Sequence, residues 1–548
     1  MMATGASHAG AASRLIELYA GARKHKIAQI ALTLGLTSVA VALAPTPATR
    51  PTLAILGLTL GAIFLFPPVG RVPGHVWGPI LGAAATLALP LAGQLFGFAT
   101  VSIGAADLGA ELFGHLHVPI LILAFAYLSI SLDEDGVFSW CALRMMRLGA
   151  GDGTRLLVAV FLSVSAVTFF TSNDIVILSM TPILIHLGRN AEIRNLTPFL
   201  MALFVAANTA SMGLYVGNPT NIVIGGAAGL GFLEYARRMV IPTVVATTTA
   251  LAVVYLVFGR LSRRNRVPAA YSMSRATAPR DDETRWTRPM TIKAAIFGAC
   301  LVALAILGNP TAAGALVGVN HPGELGSGVS MVIAAVSVCF ALGAALYDTG
   351  RDLRRRSQKD SNPKSVTAAW RARLGRMPFE VVPFFLGFCV LLRGIEETGL
   401  VGVAGDGIED AFRAGPILGS LATGVYGVIT VNLLNNIPAT LLFEKLWLGD
   451  ASAARVGLEA RLDALHPAAA DIFVDASLFA SNFGANLTFV GALAGLMWLR
   501  ILRDSKSPGE SSRALVSPRE FVSYGLIIVP VVTVVTCSAI ALARLALG

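Results

Sequence analysis

Apolar and polar residues alternate along this chain in blocks as long as membrane-spanning helices. Apolar runs of roughly 20 residues, enough for a helix to cross about 30 Å of hydrocarbon, recur from one end to the other. They predict about eleven crossings, together with two further apolar stretches that enter the membrane and return. The pattern therefore predicts an all-α polytopic membrane protein.

Two of the apolar stretches have a polar centre, which predicts a re-entrant hairpin in each. The first, 156–187, has Phe-Phe-Thr-Ser-Asn-Asp at its middle and arginines beyond both of its ends. The second, 416–447, has Asn-Leu-Leu-Asn-Asn-Ile-Pro at its middle. Irregular backbone at membrane depth is tolerated only against protein or a water-filled cavity, so we expect both tips to face such surroundings.

Two crossing segments, 198–230 and 470–502, are interrupted by glycines, amides and hydroxyl groups, and the first also by a proline. These residues break a helix within the membrane. Each half of the chain thus has one order, namely helix, hairpin, interrupted crossing and helix, and the charged flanks reverse every direction in the second half. Inverted repeats of this kind are characteristic of secondary transporters.

This order also predicts the domain boundaries. Residues 1–110 form N-terminal scaffold helices, 111–258 the first repeat, 259–378 basic cytoplasmic linkers with two connecting helices, and 379–548 the second repeat. The apolar run 27–44 follows a basic segment and has no convincing small-residue cleavage site after it, so we expect a retained helix.

Composition and charge exclude a soluble protein. Hydrophobic residues make up 55% of the chain and charged residues 14%, and the mean hydropathy is +0.70. The net charge of +10 lies mostly in loops such as 260–288, 351–376 and 503–519, which is the positive-inside pattern of an inner-membrane protein and not a nucleic-acid site. We expect these loops and the N-terminus in the cytoplasm, and the connections at Asp107 and Asp450 outside. Five scattered cysteines indicate neither a disulfide framework nor a metal site.

The four polar interruptions are expected to converge on one substrate site near mid-membrane. A single asparagine in a membrane helix is explained by helix packing, but four clusters in antisymmetric positions favour a binding function. The predicted substrate-binding residues are Ser172, Asn173, Asn208, Thr209, Ser211, Asn218, Thr220, Asn435, Asn436, Asn482, Asn486 and Thr488.

Asp174 is the first candidate for coupling, and Asp475 is a secondary one. A carboxyl group at membrane depth is costly unless it is paired, protonated or next to a cation, which indicates function. The alternative for Asp174 is a cap on the helix that begins at the tip. No Walker A sequence occurs, so we expect a proton or sodium gradient to drive transport and expect no cofactor.

Five stretches carry a family resemblance, namely 129–140, 171–182, 207–224, 434–438 and 480–502. They resemble the arsenite efflux permeases, the ArsB family of the ion transporter superfamily. The resemblance implies ion-coupled efflux of arsenite or antimonite, and an elevator-like movement of hairpins and broken helices against a scaffold. Because related scaffolds often dimerise, it also implies a homodimer as a candidate assembly.

Other functions stay open. Sodium/proton antiporters and carboxylate carriers look similar in the same stretches, but Asp174 would repel a dicarboxylate and favours a neutral or cationic solute. A channel is the alternative from another class, because polar hairpins also line pores. Neither HExxH nor GxSxG occurs, so we do not expect an intramembrane metalloprotease or serine hydrolase.

Overall fold

The computed structural model describes residues 37–38, 41–42, 46–65, 74–100, 103–262, 264–271, 285–309, 312, 322–357, 366–450, 455–505 and 515–547. Most of the predicted helix at 27–44 lies outside these residues, and so do parts of all three basic loops.

The described chain begins with a short 3₁₀ turn and five helices. They are α1 (Arg50–Leu65), α2 (Gly74–Phe96), α3 (Ala105–His115), α4 (His117–Glu134) and α5 (Val137–Gly149). Asp107, which we expected in an external connection, lies in the first turn of α3. α3 forms part of a candidate span, Ala105–Glu134, so the external position of Asp107 stays a prediction.

The next five helices contain the first hairpin and the first interrupted crossing. They are α6 (Gly153–Phe170), α7 (Asn173–Asn190), α8 (Thr197–Ala210), α9 (Pro219–Ala227) and α10 (Phe232–Leu256). Two 3₁₀ turns, Ser211–Gly213 and Tyr215–Gly217, separate α8 from α9. The glycine and proline cluster thus ends one helix and starts another within the same crossing.

The middle of the chain contains α11 (Arg288–Leu307), α12 (Pro322–Ser357), α13 (Val366–Leu374), α14 (Val381–Glu396) and α15 (Leu400–Arg413). The last part contains α16 (Pro416–Leu434), α17 (Asn436–Leu448), α18 (Leu458–Asp463), α19 (Ala469–Phe483), α20 (Leu493–Asp504) and α21 (Pro518–Leu547). Two-residue strands, Gly449–Asp450 and Arg455–Val456, pair antiparallel after α17.

The all-α class is confirmed. Among the described residues, eight helices are long and apolar enough to span a membrane. The predicted total of about eleven crossings, counted over the whole sequence, stays a prediction.

The chain divides into two compact units. The first comprises residues 1–113 with 379–403, and the second comprises 114–378 with 404–548. In the first unit α2 packs against both α1 and α14. Gly387 of α14 lies so close to α2 that an added Cβ would be 2.8 Å from the carbonyl oxygen of Pro79, so only glycine fits there.

In the second unit the two halves pack in corresponding ways. The first arm of each hairpin, α6 or α16, packs on the first part of the interrupted crossing in its own half, α8 or α19. The second arm, α7 or α17, packs on the last part of the interrupted crossing in the other half, α20 or α9. Each half therefore completes the surroundings of the other half's hairpin.

An ion cluster joins three helix ends on one side of this unit. Arg238, near the start of α10, contacts Asp475 of α19 at 3.1 Å and Asp471 at 2.7 Å. Arg544, near the end of α21, contacts Asp475 at 2.7 Å. The starts of α10 and α19 and the end of α21 therefore lie together.

The opposite ends of α10 and α21 meet on the other side. The Asn265 amide, just after α10, donates to the Tyr524 hydroxyl of α21 at 2.8 Å, and Asn195, just before α8, donates to Asn265 at 3.0 Å. Twenty residues of α21 separate Tyr524 from Arg544, which is about 30 Å of helix. The starts of α8 and α19 therefore lie on opposite sides, as inverted halves require.

Candidate functional site

The first hairpin turns in two residues. α6 ends at Phe170, and Thr171 is extended, with its hydroxyl donating back to the carbonyl of Val167 at 2.7 Å. Ser172 precedes α7 and makes no side-chain capping bond. The turn places Asn173 and Asp174 in the first helical turn of α7, where backbone N–H groups lack helical partners.

The Asp174 carboxylate lines a cavity of about 30 Å³ between this tip, α4 and α9. Ser172 is the other polar side chain in the wall, and the remaining walls are apolar, with Phe125 of α4 and Ile222 of α9 among them. The cavity exceeds the roughly 10–15 Å³ that one water molecule needs. Within the described residues, Asp174 has neither a hydrogen bond nor an ion pair. A carboxylate in such walls needs a proton or a cation as its partner.

Asn482 of α19 is the centre of a buried amide network. Its Oδ1 accepts hydrogen bonds from the Ser211 hydroxyl at 3.0 Å and from Nδ2 of Asn218 at 2.9 Å. Its Nδ2 donates to Oδ1 of Asn221 at 2.7 Å and to the carbonyl of Leu478 at 2.8 Å. One side chain of the second half thus holds both sides of the break in the first half.

A second chain of amides crosses between the halves beside the hairpin tip. Nδ2 of Asn173 donates to Oδ1 of Asn208 at 3.0 Å, and Nδ2 of Asn208 donates to Oδ1 of Asn486 at 3.2 Å. Oδ1 of Asn173 and Nδ2 of Asn486 are buried without a hydrogen-bond partner among the described residues. The chain therefore ends in one open acceptor and one open donor.

Comparison with known proteins supplies the family. Residues 71–465 match the model of the family described as "Citrate transporter". The chain belongs to this citrate transporter family.

Several curated relatives of this chain are named arsenical pump membrane proteins. An arsenical pump membrane protein of Escherichia coli is 27% identical over 454 residues, which is 81% of this chain and 91% of that one. The arsenical pump membrane protein of Yersinia enterocolitica is 28% identical over 427 residues, 77% of this chain and 85% of that one. Among solved structures, the YdaH transporter of Alcanivorax borkumensis aligns with a TM-score of 0.45 and 13% identity, over 85% of this chain and 98% of that one.

Three other predicted binding residues are hydrogen-bonded within their own half of the chain. The Thr209 hydroxyl donates to the carbonyl of Val205 in its own helix at 2.5 Å. The backbone N–H of Thr220 donates to Oδ1 of Asn218 at 3.3 Å, and the Thr488 hydroxyl donates to Oδ1 of Asn432 at 2.7 Å. None of these three residues is among those that line the cavity beside Asp174.

The second hairpin tip is held by hydrogen bonds within the tip and to the neighbouring interrupted crossing. Asn435 has φ +83° and ψ 157°, and its Nδ2 donates to the carbonyl of Val490 at 2.8 Å. Oδ1 of Asn436 accepts from the backbone N–H of Ile437 at 3.0 Å. Ile437, which corresponds in position to Asp174, is 3% exposed. The structure therefore places Asn435 and Asn436 in a hydrogen-bonded tip without a carboxylate.

Asp475, the secondary coupling candidate, lies apart from the amide network. It is buried between the guanidinium groups of Arg238 and Arg544 in the ion cluster described above. It shares no hydrogen bond with the asparagines among the described residues. Its role in coupling stays a prediction.

Two features of the site lie outside the sequence-based set of binding residues. Asn221 and Asn432 both donate to carbonyls freed at the breaks, and both sit in polar stretches of the sequence that signalled an interruption. Lys293 had no such signal, because it is one lysine near the start of an apolar helix. It is 2% exposed and contacts Asp348 at 2.8 Å and Asp135 at 3.1 Å.

The acidic end of α4 forms an ionic belt with the basic linkers. Glu134 pairs with Arg373 at 2.7 Å, Asp135 pairs with Lys293 and Arg351, and Asp133 pairs with Arg376. These pairs join α4 to α11, α12 and α13. The sequence leads us to expect these acidic residues at the cytoplasmic membrane edge, orienting a loop, and that position stays a prediction.

Proposed function

We propose that this chain is a secondary transporter in which Asp174 binds the coupling proton or sodium ion and the adjacent amides bind a small inorganic solute. The observation that carries the proposal is the Asp174 carboxylate, which faces a cavity without a partner among the described residues. Binding of a cation there neutralises the tip, and release leaves it charged. The free energy of the hairpin in its apolar surroundings therefore depends on the ion.

The solute class that fits best is the neutral hydroxide of trivalent arsenic or antimony. Among the described residues, Asp174 is the only charged one in the cavity wall, so an anionic solute meets repulsion without a compensating cation there. Arsenous acid is uncharged near neutral pH and offers hydroxyl groups that donate and accept. The open acceptor of Asn173 and the open donor of Asn486 match this requirement, and curated relatives are named arsenical pump membrane proteins.

The movement we propose is an elevator in which hairpins and interrupted crossings travel together. The amide network bonds α7, α8, α9 and α19 to one another across the two halves. The ionic belt bonds α4 to α11, α12 and α13 instead. The Asp174 cavity lies where α4 meets the helices of the amide network. If those helices slid along α4, the side of the membrane from which the ion reaches Asp174 would change.

Transport by reconstituted protein tests the solute. We expect a pH or sodium gradient to drive saturable arsenite and antimonite flux into proteoliposomes, with counterflow when solute is present on both sides. Conductive flux without saturation or counterflow would instead identify a channel. Ion exchange unaffected by arsenite and antimonite would identify a sodium/proton antiporter.

Citrate is the second candidate solute, because the matching family is described by it. In the same proteoliposomes, gradient-driven citrate uptake that arsenite does not inhibit would favour citrate. We expect the opposite result, since Asp174 and a tricarboxylate carry charge of the same sign.

We also propose that the basic loops and the N-terminus face the cytoplasm of the inner membrane and that the protein forms homodimers. A cysteine introduced at Arg194 should react with a membrane-permeant maleimide only, whereas one at Glu459 should also react with an impermeant reagent in whole cells. The native cysteines Cys141 and Cys339, which are not buried, should first be replaced.

A further inference from the structure

α5 is an amphipathic helix that connects the end of α4 to the first hairpin. Phe138 and Met145 are fully buried on one side of it, and the helix packs on both hairpin arms, α6 and α7. On its other side Arg144 is exposed, and Leu148 is 64% exposed. An apolar face of this size next to cations is typical of a helix that lies in the membrane interface.

A pair of tryptophans links this helix to the start of α11. The rings of Trp140 and Trp286 meet edge to face, with centroids 5.0 Å apart. The guanidinium carbon of Arg144 lies 5.5 Å from the ring centre of Trp140. Trp286 is 39% exposed, and its Nε1 donates to the hydroxyl of Thr291 at 2.8 Å. The pair therefore holds one cation in place and still presents aromatic surface to the outside.

Three exposed arginines lie beside the tryptophan pair or next to it in sequence, and none has a carboxylate partner among the described residues. Arg285 and Arg288 flank Trp286 in sequence, and both are exposed, as is Arg144. None of the three forms an ion pair with another described residue. The loop 260–288 contains eight arginines and three acidic residues, so the surrounding chain is positive as well.

The location fits the headgroup layer of a membrane. α4 lies in a candidate span that ends at Glu134, and Trp140 follows six residues later. α11 is a candidate span that begins at Arg288. Tryptophan is enriched where spans meet water, and arginine holds phosphate groups through two parallel hydrogen bonds.

We infer that Trp140, Arg144, Arg285, Trp286 and Arg288 form a binding site for the headgroup of an anionic phospholipid. The arginines would hold the phosphate, the indole rings would pack on the glycerol region, and the exposed Leu148 would contact an acyl chain. A free phosphate ion would use only the arginines. Because α5 supports both arms of the first hairpin, the bound lipid would anchor the base of that hairpin.

Native mass spectrometry of the purified full-length protein tests this site. The protein is reconstituted with phosphatidylglycerol and phosphatidylcholine in equal parts, extracted, and compared with the R144Q/R285Q/R288Q variant. We expect the wild type to retain phosphatidylglycerol preferentially. Each arginine near an anionic surface contributes roughly a fivefold factor in binding, so the triple variant should lose the preference. The double variant W140L/W286L should lose part of it while keeping its charge.

The matched control is R194Q/R354Q/R503Q, which removes three exposed arginines from other segments of the chain. This control should retain phosphatidylglycerol as the wild type does. Equal retention by the two triple variants would contradict the site. If inorganic phosphate displaced the lipid, or if the tryptophan variant retained it fully, the site would be one for a free phosphate ion and our inference would be wrong. Elution of each variant as a monodisperse peak confirms folding before binding is compared.

Discussion

The two hairpin tips occupy corresponding places in the two halves but differ in how their polar groups are satisfied. At the first tip Ser172 makes no capping bond, and Asp174 faces a cavity without a partner among the described residues. At the second tip Asn435 and Asn436 are both hydrogen-bonded, and a buried isoleucine stands in the place of the aspartate. The first tip thus has a polar group without a partner among the described residues, whereas both asparagines of the second tip are hydrogen-bonded.

We therefore propose that the coupling ion binds in the first half only. A carboxylate that is unpaired in apolar walls is stable only with a bound proton or metal cation, so on this proposal the first tip responds to the ion. The second tip has no titratable group to respond with. On this proposal, two repeats with the same architecture contain only one coupling site between them.

The largest expected effect comes from the residue that joins the halves. Asn482→Ala removes four hydrogen bonds and leaves buried partners unsatisfied, each costing about 1–3 kcal/mol. We expect a much lower thermal midpoint in detergent and no transport. Asn190→Ala removes an asparagine from the exposed end of α7 and should change neither. A stable, active Asn482→Ala protein would show that the halves are not joined through this side chain.

The Asp475→Asn variant tests whether Asp475, in the second half, couples transport to the ion gradient. Breaking a buried ion pair costs about 3–5 kcal/mol, so thermal stability should fall. The dependence of flux on the ion gradient should persist in the protein that remains folded. Loss of that dependence would move the coupling site to Asp475. Asp504→Asn, at an exposed pair with Arg500, should leave both properties unchanged.

Asn435 tests whether the second tip is structural. Its φ and ψ lie in a region that only glycine adopts freely. Asn435→Gly and Asn435→Ala lose the same side-chain hydrogen bonds, but only the alanine keeps the backbone strain. We expect the glycine variant to be more stable by about 1–3 kcal/mol in chemical unfolding. Equal stability of the two variants would show that the backbone relaxes elsewhere.

Ser172→Ala should have the smallest effect. The hydroxyl lines the cavity beside Asp174, so its loss removes at most one hydrogen bond to a bound solute or ion. We expect KM to rise by no more than about fivefold, with kcat unchanged. Ser523→Ala, whose hydroxyl bonds its own helix on an exposed face, is the control. A loss of kcat in Ser172→Ala would place the hydroxyl in the moving contact instead.

The sequence predicts much of this fold because membrane depth restricts what a chain can do. The predicted hairpins at 156–187 and 416–447 correspond to α6–α7 and α16–α17, since a polar turn inside an apolar run has few other structures available. The breaks at Asn218 and Asn482 follow from glycine and amides in the same way. Membership of a transporter family agrees with that interpretation.

The partners of individual side chains could not be predicted. Asn482 and Asn218 are 264 positions apart in sequence, and their contact depends on how two halves pack. Asp174 and Asp475 both occur as single acids in apolar surroundings, yet one lies in a cavity and the other between two arginines. The local sequence identifies a polar side chain whose burial is costly. Tertiary packing decides which partner that side chain has.

The central claim is that Asp174 carries the coupling ion, and one variant tests it directly. Asp174→Asn keeps the size and polarity of the side chain but cannot titrate, and asparagine is accepted near a helix start about as well as aspartate. Solute exchange and gradient-driven accumulation are measured in the same proteoliposomes, with Asp152→Asn at the cap of α6 as the control. We predict that Asp174→Asn retains exchange and loses accumulation, whereas undiminished gradient-driven accumulation would contradict the account.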